Sequence, residues 1–210
     1  MEDIIKYFDE MKMIIQKLDY KEVEKMINIL VKVREDRGRV FFIGVGGGAG
    51  HSSHAVCDFR KLVGVEAYTP LDNVSELTAQ ANDNGWEWIF SNWLKESHLN
   101  KHDCIFVFSV GGGDLEFNIS PNICRALEYS SEIGSSIIGI VGREGGYTAQ
   151  VADACVVVPT VNECKVTPHV ESFQAVIWHL LVSHPRLQKN DMKWEGVQNI
   201  KDSVDNVTRK

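Results

Sequence analysis

Residues 39–58 read RVFFIGVGGGAGHSSHAVCD, and this stretch decides the fold. Arg39 to Val45 form a short, nearly continuous apolar run. Such runs belong to strands buried on both faces of a parallel sheet. The run empties into glycines at Gly44, Gly46, Gly47, Gly48 and Gly50, and a helical pattern starts just after them. Strand, glycine turn and helix in that order make the opening half of a βα unit.

The same pattern recurs along the chain. CIFVFSV at 104–110, SSIIGIVG at 135–142 and ACVVVP at 154–159 are further buried-strand runs, and VEAYTP at 65–70 is a weaker one. Helical stretches fall at about 49–62, 75–97, 120–133 and 168–183. Thr167 reads as a cap, with Pro168 at the first helical position. Alternation of strands and helices predicts an α/β protein, a three-layer αβα sandwich around a mostly five-stranded parallel sheet. Two helices precede it over 3–36. Ile4, Ile5, Phe8, Met11, Ile15 and Leu18 stripe the first. Asp19 looks like the cap of the second, with Glu22 in capping-box position. These helices need a partner surface, either another copy or their own sheet. We read 1–184 as one domain, with 1–37 serving oligomerisation, 38–184 the core, and 185–210 a polar, loosely ordered tail.

Composition narrows the classes. The chain has 210 residues, 44% hydrophobic and 24% charged, which rules out disorder over most of its length. Its formal net charge is −7, a poor starting point for binding nucleic acid. No apolar run approaches the ~20 residues that span a bilayer, and the acidic start MEDIIKYFDEMK is unlike a signal peptide. The expectation is a cytoplasmic protein with no membrane or nucleic-acid partner. Cys57, Cys104, Cys124, Cys155 and Cys164 form no CxxC pair and read as reduced core thiols.

In doubly wound sheets ligands bind at the carboxyl ends of strands. A second glycine cluster, Gly111-Gly112-Gly113, follows the run ending in Ser109-Val110. Each cluster is either a phosphate cradle or a tight strand-to-helix turn. Gly44-x-Gly46-x-x-Ala49 fits a loose dinucleotide fingerprint, but the acid it needs, Glu66, falls at the start of its strand. No Walker-type GKS or GKT is present. His51, His54 and Asp58 share one helix face, and His54 with Asp58, at i and i+4, makes half of a divalent-metal site. The last helix carries His169, Glu171 and His179. Glu171 and His179 lie eight residues apart, which is about 12 Å of helix rise. Asn82-Asp83-Asn84-Gly85 is a strong turn between two helical patterns.

In order, these motifs resemble the sugar isomerase (SIS) domain, and within it the phosphoheptose isomerase family. FFIGVGGGAGHSSHAVCDF (41–59) is similar to the family's first loop and helix. NVSELTAQANDNGWEWIF (73–90) is similar to its Asn-Asp-x-Gly helix. FSVGGG (108–113) with SPNICRALE (120–128) resembles its serine-rich phosphate loop. GIVGREGG (139–146) resembles a Gly-Arg-Asp-Gly-Gly turn, and VTPHVESFQAVIWHLL (166–181) its C-terminal catalytic helix. The resemblance implies a metal set of His54, Asp58, Glu171 and His179, with Zn²⁺ as the ion. It implies Asp58 and His179 as the catalytic pair. It implies Gly46, Gly47, Gly48, Asp83, Ser109, Gly111, Ser120 and Glu171 around a phosphorylated sugar. It also implies a tetramer with active sites at subunit interfaces.

The chain departs from that pattern in five places. Gly48 and Gly111 stand where the motif has serines, and Asp58 and Glu171 stand for Glu and Gln. Asp114–Ile119 is an insertion. The expected reaction is aldose–ketose isomerisation of D-sedoheptulose 7-phosphate to D-glycero-D-manno-heptose 7-phosphate through an enediol. The alternatives are a non-catalytic sugar-phosphate-binding module or an isomerase of another ketose phosphate.

Overall fold

The computed structural model describes residues 1–192, so 193–210 of the expected tail lie outside the described residues. Helices α1 (Glu2–Lys17) and α2 (Tyr20–Glu35) lead into β1 (Arg39–Gly44) and α3 (Gly47–Asp58). A π-helical turn over Phe59–Val63 extends α3 before β2 (Glu66–Tyr68). Next come α4 (Val74–Asn84), α5 (Ile89–Glu96) and β3 (Cys104–Ser109). The chain continues through α6 (Pro121–Ile133), β4 (Ser136–Val141), α7 (Gly146–Val151), β5 (Ala154–Val157) and α8 (Val166–Ser183). All strand pairs are parallel, in the order β2-β1-β3-β4-β5. The order reverses between β1 and β3, the place where such sheets open a crevice.

Period-two alternation makes the two cores. Val40, Phe42, Phe106, Phe108, Ile138 and Ile140 face α2, α3 and α8. Phe41, Ile43, Ile105, Val107 and Ile137 face the layer of α5 and α6. Phe42 stacks on Phe106 with ring centroids 5.0 Å apart. Each fully buried side chain of this kind contributes about 1.5–3 kcal/mol. At the opposite end of the sheet the buried Asp103 carboxylate ties β1 to the chain before β3. It accepts from Arg39 N at 2.9 Å and from the Arg39 guanidinium at 2.7 Å.

Several expectations are corrected. The Asp19 side chain caps α2 by accepting from Lys21 N, but Glu22 does not close the box. Its carboxylate instead accepts from Cys155 N at 3.1 Å, pinning α2 to the edge strand β5. Helix α8 starts two residues before Pro168, behind a turn over Glu163–Lys165 whose cap is Asn162. Helix α7 was not expected, because six residues are too few to show a helical period. The 75–97 stretch is two helices, as the Asn82–Gly85 turn implies, but residues 82–84 still belong to α4 and the break falls at Gly85 with φ +87°. The tail begins ordered: Leu187 is buried, and Lys189 N and Asn190 N donate to Leu62 O. The cysteines divide, with Cys57 and Cys164 exposed. Burial raises the Cys104 and Cys124 thiols, and burial beside Glu22 pushes Cys155 up to about 12.

The leading helices divide too. Helix α2 buries Val23, Met26, Ile27, Leu30 and Val33 on the sheet. Helix α1 buries only Glu10 and Ile14, and leaves Ile4, Ile5, Phe8 and Ile15 exposed.

Candidate active site

Helices α3 and α8 lie side by side and run in the same direction. The pairing follows their sequences step by step: Gly47 meets Glu171, His51 meets Gln174, and Asp58 meets His179. A Cβ on Gly47 would run into the Glu171 carboxylate. The carboxylate therefore sits at the first turn of α3, where the positive end of the helix favours an anion. His51 Nδ1 lies 3.0 Å from Gln174 Oε1, while Gln174 Nε2 donates to Ile140 O at 3.1 Å. That amide orientation makes His51 Nδ1 the donor.

Two turns further on, three potential ligands converge. His54, Asp58 and His179 each present one ligating atom, all within 4.8 Å of one another. His54 Nε2 is 3.7 Å and His179 Nε2 4.0 Å from Asp58 Oδ2. His179 Nδ1 is 2.7 Å from Ala175 O. A carbonyl only accepts, so Nδ1 carries the hydrogen and Nε2 keeps its lone pair toward Asp58. Two imidazole nitrogens and a carboxylate oxygen, with one side open, fit a divalent ion of the zinc type. Glu171 does not join this cluster. It stays at the other end of α3, as the helix rise demands.

A cleft of about 850 Å³ opens at the carboxyl ends of β3, β4 and β5. Ser109, Gly111 and Ser120 line it. Ser109 Oγ accepts from Gly112 N at 3.0 Å, and Ser120 precedes α6 with φ +49°. Gly46, Gly47 and Gly48 do not line this cleft, and from the first loop only Val45 reaches it. Gly48 N donates to Val45 O, and a Cβ there would strike Phe108 O, so this glycine sets the approach of α3 to β3. Asp83 is exposed at the end of α4, in the other layer, and binds Asn82 Nδ2 at 2.8 Å.

Arg143, Glu144, Thr160 and Thr167 also line the cleft and were not anticipated as site residues. The signal for Arg143 was available: it follows a buried strand at its carboxyl end, where ligands bind. Gln174 carried no such signal. It is a fully buried polar residue inside an apolar helix.

The His54–Asp58–His179 cluster and the cleft share no lining residue.

No family model matches the chain. It is 31% identical to the phosphoheptose isomerase of Rhodospirillum rubrum over 149 residues, 69% of this chain and 73% of that protein. It is 26% identical to the phosphoheptose isomerase of Helicobacter pylori strain P12 over 164 residues, 76% of this chain and 80% of that one. The fold is similar to the structure of phosphoheptose isomerase GmhA from Neisseria gonorrhoeae. The TM-score is 0.74 at 20% identity, covering 86% of this chain and 96% of that one.

Proposed function

The chain belongs to the phosphoheptose isomerase family, and on that premise we propose that it interconverts D-sedoheptulose 7-phosphate and D-glycero-D-manno-heptose 7-phosphate. The observation that carries the chemistry is the meeting of Asp58 on α3 with His179 on α8, with His54 beside them.

Aldose–ketose isomerisation moves one proton from C1 to C2 and one from O1 to O2 through an enediol. Asp58 has two oxygens. Oδ2 faces both imidazoles, which leaves Oδ1 to take the C1 proton and return it at C2. His179 Nε2 accepts the hydroxyl proton and passes it on, because the bond to Ala175 O fixes its tautomer. His54, Asp58 and His179 would hold a divalent cation, Zn²⁺ by their donor set, and it would supply Lewis-acid polarisation of the carbonyl; on His179 Nε2 it would take the lone pair that otherwise accepts the hydroxyl proton, leaving that transfer to the substrate oxygens.

The phosphate goes to the cleft rather than to the first glycine loop. Glu171 already occupies the positive end of α3, and a second anion there would meet it as a like charge. Ser109, Ser120 and the start of α6 remain for the phosphate.

The separation of cleft and cluster favours a homo-oligomer, a tetramer as the resemblance implies. His54 and His179 side chains are 59% and 49% exposed. Val176 and Leu180, on the same stretch of α8, are also open. A second copy covering this face would exclude water from the proton transfers and bring its own residues to the site. No helix among the described residues is long and apolar enough to cross a membrane.

Two measurements on the purified protein test the reading. Turnover of ketose phosphates with five, six and seven carbons is expected to give the highest kcat/KM for the seven-carbon substrate. A shorter sugar ahead of it would leave the isomerase and remove the named substrate. Separately, His54→Ala is expected to lower bound zinc after dialysis at least tenfold. Equal zinc in both proteins would remove the metal site.

A further inference from the structure

We propose that Arg143 binds the substrate phosphate together with Ser109 and Ser120, standing in for the serine hydroxyl absent at Gly111. The inference rests on the phosphosugar reading of the cleft.

Among the described residues Arg143 is the only cationic side chain that lines the cleft; Asp114, Glu144 and Glu163 are carboxylates. A dianion entering a cleft with three acids needs a fixed positive charge, and hydroxyls do not supply one. The side chain is also aimed correctly. Its Cδ lies 4.0 Å from where a Cβ on Gly111 would be, so the stem crosses the second glycine loop. That is the position at which the motif's serine is missing.

Arg143 is uncommitted. It has no carboxylate within 4.0 Å and no side-chain hydrogen bond among the described residues. Arg39, Arg125 and Arg186 each pair with an acid. Arg34 and Arg60 donate to carbonyls. Arg37 is also unpaired among the described residues and also has a positive φ, but it precedes β1 at the opposite end of the sheet and does not line the cleft. A guanidinium left without partners at the mouth of a ligand cleft keeps all five donors for a bidentate acceptor.

Its backbone carries a second mark. Arg143 has φ +53° in a turn otherwise built from Gly142, Glu144, Gly145 and Gly146. Left-handed backbone favours glycine, and an arginine there keeps a strained conformation that a glycine would relieve. The turn itself is fixed by other means. Thr148 Oγ1 donates to Gly112 O at 2.7 Å, Tyr147 N donates to Gly113 O at 2.8 Å, and Gly142 N donates to Val110 O at 3.0 Å. None of these bonds uses the Arg143 side chain.

The test is calorimetric titration of the full-length protein with inorganic phosphate, followed by steady-state kinetics. Arg143→Ala and Arg143→Gly are both expected to weaken phosphate binding at least tenfold. Arg143→Lys is expected to recover part of it. KM for the seven-carbon ketose phosphate should rise in the same proportion, with kcat changed less than threefold. The melting temperature of Arg143→Gly should equal or exceed that of the wild type, which separates a binding role from a structural one. Unchanged phosphate affinity in Arg143→Ala would overturn the proposal, as would a wild-type protein that does not bind phosphate. Wild-type protein that binds phosphate through Arg143 but turns over no ketose phosphate would keep this inference and remove the isomerase.

Discussion

Gly48 shows how much one residue decides. It stands where the motif has a serine, which makes it look like a lost phosphate donor. In the structure a side chain at that position would collide with Phe108 O. The glycine therefore sets the distance between α3 and the sheet, and with it the position of His54 and Asp58. Gly48→Ala is expected to destabilise the fold by about 1–3 kcal/mol through overpacking against backbone. A urea titration checks this, and an unshifted midpoint would mean that α3 moves out freely. Sequence could not separate the two kinds of glycine. Gly47, Gly48 and Gly111 look identical as letters, and only the neighbouring backbone tells contact from open space.

At the scale of elements, α1 is held to α8 by a buried polar knot. Glu10 accepts from Asn162 Nδ2 at 2.7 Å and pairs with His169 Nε2 at 2.9 Å, while Lys165 Nζ lies 3.4 Å away. The bond from Asn162, then those from His169 and Lys165, hold its carboxyl down at about 2, against an ordinary 4.5. A depressed carboxyl contributes stability that is complete above its unfolded value and is lost as pH falls through the folded one. The wild type should therefore lose stability between about pH 4.5 and 2, and Glu10→Gln should flatten that limb. Urea midpoints measured across this range decide it; parallel profiles would mean the knot contributes nothing in acid. The sequence showed the helices but not this tie. His169 was noted as a polar residue on the last helix, yet its partner lies 159 positions away. Strands were more legible, because runs such as CIFVFSV are apolar on both faces and need no partner to be recognised. The pairing of His51 with Gln174 was hidden for the opposite reason: it depends on the crossing of two helices.

On the scale of the whole molecule, the open face of α1 and the separation of cluster and cleft point the same way. Ile4, Ile5 and Phe8 are each more than half exposed. Apolar side chains grouped on one helix are costly to leave in water. Paired changes Ile5→Glu and Phe8→Glu are expected to convert an oligomer to monomers, read by light scattering, and to lower turnover with it. A wild-type protein that is monomeric at working concentration would remove the shared-site reading. The three-layer fold was legible from alternation alone, and so was the placing of His54 beside Asp58 on one helix face. Its completion by His179 needed the parallel run of α3 and α8, and the assembly needed surfaces that one chain's sequence does not label.

The most direct test of the central claim is conversion of D-sedoheptulose 7-phosphate, followed by the appearance of aldose anomeric protons in NMR spectra. Wild-type protein should produce those signals, and Asp58→Asn, folded to the same melting temperature, should not. Wild-type protein that binds the ketose phosphate without producing any aldose signal would contradict the isomerase and leave a sugar-phosphate-binding module in its place.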